Sequence, residues 1–183
     1  VPFGQMTQAE RDEQAKALLA EAGYADGLDI GILYNTSEAH KSIAVAISQM
    51  WKTKLGVTAK LNNLEWKTYL TERSEGNYDV SRAGWCGDYN EASTFLDLMR
   101  SDSGYNDGKY ANAEVDRLMD EARLLNDPSA NYTEVERIVA EEMAVIPLYH
   151  YSFNLMLKDD IKGWPYSNVQ MNWYARDLYK VAK

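Results

Sequence analysis

The sequence predicts an α/β fold, a mixed sheet flanked by helices, and three observations carry that expectation. Along the first half of the chain, helical and strand-like hydrophobic periods alternate, the pattern of a sheet with crossover helices. The 183 residues are 45% hydrophobic and include 5 Trp, 13 Tyr and 3 Phe. A compact chain of this mass exposes roughly 8,900 Å² against about 30,000 Å² unfolded, so one substantial core is within reach. The lone cysteine, Cys86, cannot form a disulfide within the chain, so the fold rests on that core.

Thr7-Gln8-Ala9-Glu10 has the spacing of a capping box and predicts a helix through Leu18, Leu19 and Ala22 that stops near Gly23. Leu28, Ile30 and Ile32 then share one face of a predicted strand, and Asn35-Thr36-Ser37 forms the turn after it. From Glu38, the residues Ile43, Ile47, Met50, Trp51 and Lys54 fall at helical spacing before Gly56, and residues 57–64 alternate as a second strand. A helix over about 66–75, a stop at Gly76-Asn77 and a strand over 78–84 complete the first half. A short helix over 94–99 precedes a loop over 101–112 that is rich in Gly, Asp and Asn. Val115, Leu118, Met119, Ala122 and Leu125 stripe one helix, and Tyr132, Val135, Ile138, Val139 and Met143 stripe the next, predicting an antiparallel pair. Residues 144–151 read as a strand that tolerates Pro147 only at its start or at a sheet edge. The remainder, with its alternating 172–179, reads as extended segments that need another sheet to pair with.

Charge and composition exclude several functions. With 28 Asp and Glu against 19 Lys and Arg, the net charge of -9 repels nucleic acid and anionic lipid. No apolar run reaches the ~20 residues a spanning helix needs. One Cys and two His, at 40 and 150, have no metal-ligand spacing, and no glycine-rich phosphate loop follows a strand, so neither a metal nor any other cofactor is expected. The chain opens Val1-Pro2-Phe3 without an initiator Met, as expected of a processed chain or an excised piece.

The chemistry concentrates after the third strand, in Arg82-Ala83-Gly84-Trp85-Cys86-Gly87-Asp88-Tyr89-Asn90-Glu91. A cation at Arg82 and an anion at Asp88 on one extended stretch, beside Trp85 and with Arg73 upstream, suit a zwitterion with separated ends, such as a short peptide. Gly84 and Gly87 admit a second backbone at close range, as main-chain pairing with an extended ligand requires. Three other readings stay open on the residues alone. Arg82 could pair with Asp79 or Asp88 while Trp85 sits in the core. Asp88 and Glu91, or Cys86 with a histidine, could serve a hydrolase. Exposed Trp and Tyr could form a carbohydrate-binding module.

Over this same stretch, and at Leu33-Tyr34-Asn35-Thr36-Ser37, Trp51-Lys52, Leu55-Gly56-Val57, Glu65-Trp66-Lys67-Thr68-Tyr69-Leu70 and Ile146-Pro147-Leu148-Tyr149, the chain resembles the periplasmic oligopeptide-binding proteins of bacterial ABC importers. The likeness runs through essentially the whole chain in order but matches only the C-terminal part of the family. It implies one lobe of a two-lobe periplasmic-binding-protein-like fold of type II, with residues 1–151 as the ligand-binding lobe. Residues 152–183 would be a tail crossing back to an N-terminal lobe that this chain lacks.

The resemblance also implies a non-enzymatic, periplasmic role: binding short extended peptides for delivery to a membrane ABC permease, with murein peptide as an alternative to general oligopeptides. Asp88 matches the aspartate that pairs with the peptide α-ammonium, and Ala83, Gly84, Trp85 and Cys86 match the strand that bonds its main chain. Arg82, Arg73 and His40 match basic positions for the C-terminal carboxylate or side chains. Trp66, Trp85 and Tyr151 match aromatic positions around hydrated side-chain pockets. In many members the equivalent of Cys86 forms a disulfide with a residue upstream of this chain's first position.

Overall fold

A computed structural model describes residues 2–167 and 172–182. Its first half is a parallel α/β unit. Helix α1 (Gln8–Glu21) starts at the capping box: Thr7 Oγ1 accepts the Glu10 N–H at 3.3 Å while the Thr7 N–H donates to the Glu10 carboxylate at 2.8 Å. Strand β1 (Asp29–Asn35), helix α2 (Glu38–Leu55), strand β2 (Thr58–Leu64), helix α3 (Trp66–Glu75) and strand β3 (Val80–Ser81) follow. The strand order is β2-β1-β3, and both pairings are parallel. Parallel neighbours cannot be joined by a tight hairpin, so α2 and α3 serve as the crossovers. Gly56 and Gly76 end them in left-handed geometry, with φ of 71° and 78°.

The alternation around Leu28, Ile30 and Ile32 predicts one buried face, but β1 is the central strand and is buried on both faces over its last four residues. Ile32, Tyr34 and Ala44 form this core, with Ile47, Trp51, Ala59, Leu61 and Val80 packed on it. A second core lies among α4 (Ser93–Leu96), α5 (Ala113–Ala122) and α6 (Ser129–Glu142), where Leu96, Val115, Leu118, Met119, Val135 and Ile138 interdigitate. Arg100 anchors the intervening loop: its buried guanidinium spans Asp102 at 3.0 Å and Asp120 at 2.8 Å. Buried Asn106 bonds the carbonyls of Arg100 and Tyr110 at 2.9 and 2.7 Å.

Three expectations are corrected. The third strand is regular only at Val80–Ser81 rather than over 78–84. Residues 144–151 form no strand, because no segment among the described residues supplies a ladder partner; residues 141–156 are exposed throughout, including Ile146, Leu148, Tyr149 and Phe153. The antiparallel component of the expected mixed sheet is separate from the parallel sheet. It pairs β4 (Ile161–Lys162) with β5 (Tyr179–Lys180) inside the tail, so of the alternation over 172–179 only Tyr179 lies in a strand, after a 3₁₀ turn at Ala175–Asp177. Residues 168–171 and 183, which belong to the 152–183 tail, lie outside the described residues.

The accessible surface is 13109 Å², about half as much again as the roughly 8,900 Å² of a compact chain of this mass. The excess includes the apolar side chains of the 141–156 stretch.

Candidate functional site

In a parallel sheet all the strand carboxyl ends lie on one edge, and the loops that leave them meet there. His40 stands in the first turn of α2, just past the end of β1. Trp66 opens α3 after β2, and Arg82 follows β3 directly. Topology alone thus gathers residues 42 positions apart in sequence onto one edge.

Arg82 is the centre of the group. Its N–H extends the β3 ladder by donating to the Leu33 carbonyl at 2.8 Å. Its own carbonyl accepts the hydroxyl of Tyr69, and its guanidinium donates to the hydroxyl of Tyr151 and lies 5.9 Å from that ring. Tyr69 is fully buried, accepts a bond from Arg73 Nη1 at 3.3 Å and stacks against Trp66 with centroids 5.6 Å apart. A continuous chain therefore runs from Arg73 through Tyr69 and Arg82 to Tyr151, with Trp66 against Tyr69.

The three basic groups are not equivalent. Arg73 is ion-paired to Asp107 at 2.6 Å. Burial pulls its pKa down, but the Tyr69 hydroxyl and Asp107 outweigh that and raise it. Burial, then the charge of Arg82, lowers the His40 pKa from 6.5 against the pull of the Asn35 carbonyl, so His40 is a neutral imidazole at neutral pH. Arg82 is not tied to Asp79, whose carboxylate instead accepts the Gly31 N–H of β1 at 2.7 Å.

Past Arg82, residues 83–87 make no main-chain hydrogen bond to another segment among the described residues. Ala83, Gly84 and Cys86 are exposed, and Cys86 is a free thiol. At Gly84 a Cβ would lie 3.2 Å from the Arg82 guanidinium and 3.4 Å from the Tyr151 ring. At Gly87 it would lie 3.1 Å from Thr94 and 3.3 Å from Phe95, so glycine is what lets the loop seat on α4. The seat is fixed by the Asp88 N–H, which donates to the buried Thr94 hydroxyl at 3.0 Å. Asp88, Trp85 and Tyr105 line a cleft of about 400 Å³, with Trp85 and Tyr105 tilted together at 5.0 Å.

The predicted residues thus fall into two groups joined by the bare segment: His40, Trp66, Arg73, Arg82 and Tyr151 on one side, Trp85 and Asp88 on the other. The sequence reading missed Tyr69, Tyr105 and Asp107. Tyr69 was within reach, since it lies three residues after Trp66 and four before Arg73 on one helix face. Tyr105 and Asp107 come from the loop over 101–112, where no period marks them.

The hydrolase arrangement finds little support in this geometry. Glu91 accepts a hydrogen bond from the Ser93 hydroxyl, and that bond with Tyr132 lowers its pKa, the opposite of what a general acid needs.

Residues 2–107 match the family model described as bacterial extracellular solute-binding proteins, family 5, middle. The chain is 43% identical over 185 aligned positions to the periplasmic murein peptide-binding protein MppA of Escherichia coli, covering 98% of this chain and 34% of that protein. The solved structure of that murein tripeptide-binding protein superposes with a TM-score of 0.91, covering 100% of this chain and 37% of the other at 43% identity. The Haemophilus influenzae OppA, solved in complex with RPPGFSPFR, gives a TM-score of 0.87 at 39% identity, over 98% of this chain and 36% of that one. The chain spans about a third of the length of the relatives it matches.

Proposed function

Because the chain belongs to the bacterial extracellular solute-binding proteins of family 5, we propose that it is the C-terminal lobe of a periplasmic protein that binds short peptides in an extended conformation for uptake through a membrane ABC permease. The observation that carries this reading is the unpaired main chain of residues 83–87, bracketed by the Arg82 guanidinium and the Asp88 carboxylate. An extended peptide adds to such an edge as a further strand, its backbone bonded by Ala83, Gly84, Trp85 and Cys86. Asp88 receives the α-ammonium. Arg82, with Arg73 behind it, supplies positive potential for the carboxylate end, and His40 joins as a neutral hydrogen-bonding group. Trp66, Trp85 and Tyr151 wall the side-chain positions, where bridging water accommodates different residues.

The large exposed surface supports a second lobe. Residues 1–151 form the binding lobe, and the apolar side chains of 141–156, with the 152–183 tail, are covered by the first lobe of the same protein. Ligand bridges the lobes, and closure marks the loaded state for the permease. No catalytic step is involved. Relatives named for murein peptide and for oligopeptides align at similar identity, so mass spectrometry of small molecules released from the purified full-length polypeptide discriminates them. Mixed short peptides are the expected cargo. A uniform non-peptide ligand, or ligand turnover during storage, would overturn the proposal.

A further inference from the structure

The two charges that bracket the bare segment are fixed to different halves of the fold. Arg82 belongs to the parallel sheet, through its N–H on the Leu33 carbonyl and its own carbonyl on the Tyr69 hydroxyl. Asp88 belongs to the helical half, through its N–H on the Thr94 hydroxyl of α4. The two cores have no residue in common. Residues 83–87 join them and make no main-chain hydrogen bond to another segment among the described residues, so this stretch does not by itself hold the two charges at a set distance.

That distance matters on a fine scale. One more residue lengthens an extended ligand by about 3.3 Å, so a cation and an anion tell neighbouring peptide lengths apart only if their spacing is held to a fraction of that.

The loop over 101–112 spans the gap. On the helical side Asn106 bonds the carbonyls of Arg100 and Tyr110 and accepts the Tyr110 N–H at 3.1 Å, and the Tyr110 hydroxyl donates to Glu142 of α6. The next residue, Asp107, reaches across to Arg73 in the last turn of α3 at 2.6 Å, with the two side chains only 17% and 20% exposed. A pair this sheltered is little screened by salt. Arg73 in turn bonds the Tyr69 hydroxyl that holds the Arg82 carbonyl. Two residues before Asp107, Tyr105 packs on Trp85, in the middle of the bare stretch.

We propose that the 101–112 loop is a splint for the peptide-pairing segment and that Asp107 is its positioning residue: the bond to Arg73 sets the distance between Arg82 and Asp88, and with it the peptide length the site prefers. This deepens the peptide-binding reading and rests on it. Asp107 acts on the site through Arg73 and Tyr69, not by touching ligand.

The test is calorimetry on the full-length polypeptide with unmodified alanine peptides of two to five residues, run below the unfolding temperature of every variant. The wild type is expected to favour one length by about tenfold over its neighbours. Asp107→Ala should flatten that profile to within about threefold, weakening the preferred length most, because a site that is no longer preorganised accepts several spans. Asp107→Glu, which restores the charge, should bring a preference back. Should Asp107→Ala fail to fold, Asp107→Asn serves instead, keeping the shape and losing the charge, with the same flattening expected. A variant profile as steep as the wild type's would overturn the splint. So would an equal loss at every length, the mark of a pair that only stabilises the fold. A gain for free-acid peptides that C-terminally amidated ones do not share would overturn it too, since Asp107 would then be only a counter-charge to Arg73. A wild type that binds peptides without a length preference overturns the splint and leaves the peptide-binding reading standing; one that binds no peptide overturns both.

Discussion

The substitution Tyr69→Phe isolates one atom on which the site depends. The ring stays, so the stacking on Trp66 and the packing of a fully buried side chain are preserved. Only the hydroxyl goes, and with it the bond donated to the Arg82 carbonyl and the bond accepted from Arg73 Nη1. A neutral buried bond contributes about 0.5–1.5 kcal/mol and one to a charged group about 1.5–3 kcal/mol, so the expected loss is about 2–4.5 kcal/mol. Arg73 keeps Asp107, which places the loss toward the lower end. Urea unfolding of the full-length polypeptide should show a lower midpoint with an unchanged slope, the signature of lost native contacts without a change in exposed area. On the proposed function peptide affinity should fall too, because the Arg82 carbonyl anchors the start of the segment proposed to pair with the ligand. A stability change below about 0.5 kcal/mol, small against the value of one buried bond, together with unchanged affinity, would refute the idea that Tyr69 ties α3 to the binding segment.

Arg100→Met should destabilise by about 2–3 kcal/mol, less than a fully buried pair because Asp102 and Asp120 are exposed and rehydrate; urea unfolding checks it. Alkaline pH should weaken the fold through Tyr110, whose pKa is raised from 10.0 to about 12 by burial first and then by its bond to Glu142. A raised pKa contributes stability that is complete below the unfolded value of 10.0 and is lost as pH climbs to about 12, so Tyr110→Phe should flatten the stability profile in that window. At the acid end, Glu142 is held below 4.5 by Tyr110 and then Asn112; its contribution is present above 4.5 and disappears as pH falls through its lowered value, which Glu142→Gln should remove from an acid unfolding curve.

Local rules carried most of the first half of the fold. The Thr7 to Glu10 capping box, the stops at Gly56 and Gly76, and the α5 and α6 stripes up to Ala122 and Val139 are short-range signals that stand where the periodicity puts them. Leu125 and Met143, the last member of each stripe, instead fall past the helix ends and are exposed. Long-range pairing was harder to read. A run such as residues 144–151 has the composition of a strand whether or not a neighbour exists, and here none does among the described residues. The central position of β1 was hidden for a related reason, since an alternating pattern does not show that a polar Asn35 at its end is buried too. In the site, Arg82 and Asp88 were visible as opposite charges at the two ends of the uncharged residues 83–87. Tyr69 was marked only by its spacing to Trp66 and Arg73, because a tyrosine on a helix reads as ordinary core until its hydroxyl is seen to bond two arginines' groups.

The central claim is that Asp88 receives the α-ammonium of an extended peptide. Isothermal titration of the full-length polypeptide with an unmodified tripeptide, run beside Asp88→Ala of verified thermal stability, tests it directly. Leaving the ammonium unpaired in the closed site should cost about 2–5 kcal/mol, which reduces affinity by about 30-fold to several thousand-fold while the fold is retained. Unchanged affinity for the unmodified peptide in Asp88→Ala would contradict it.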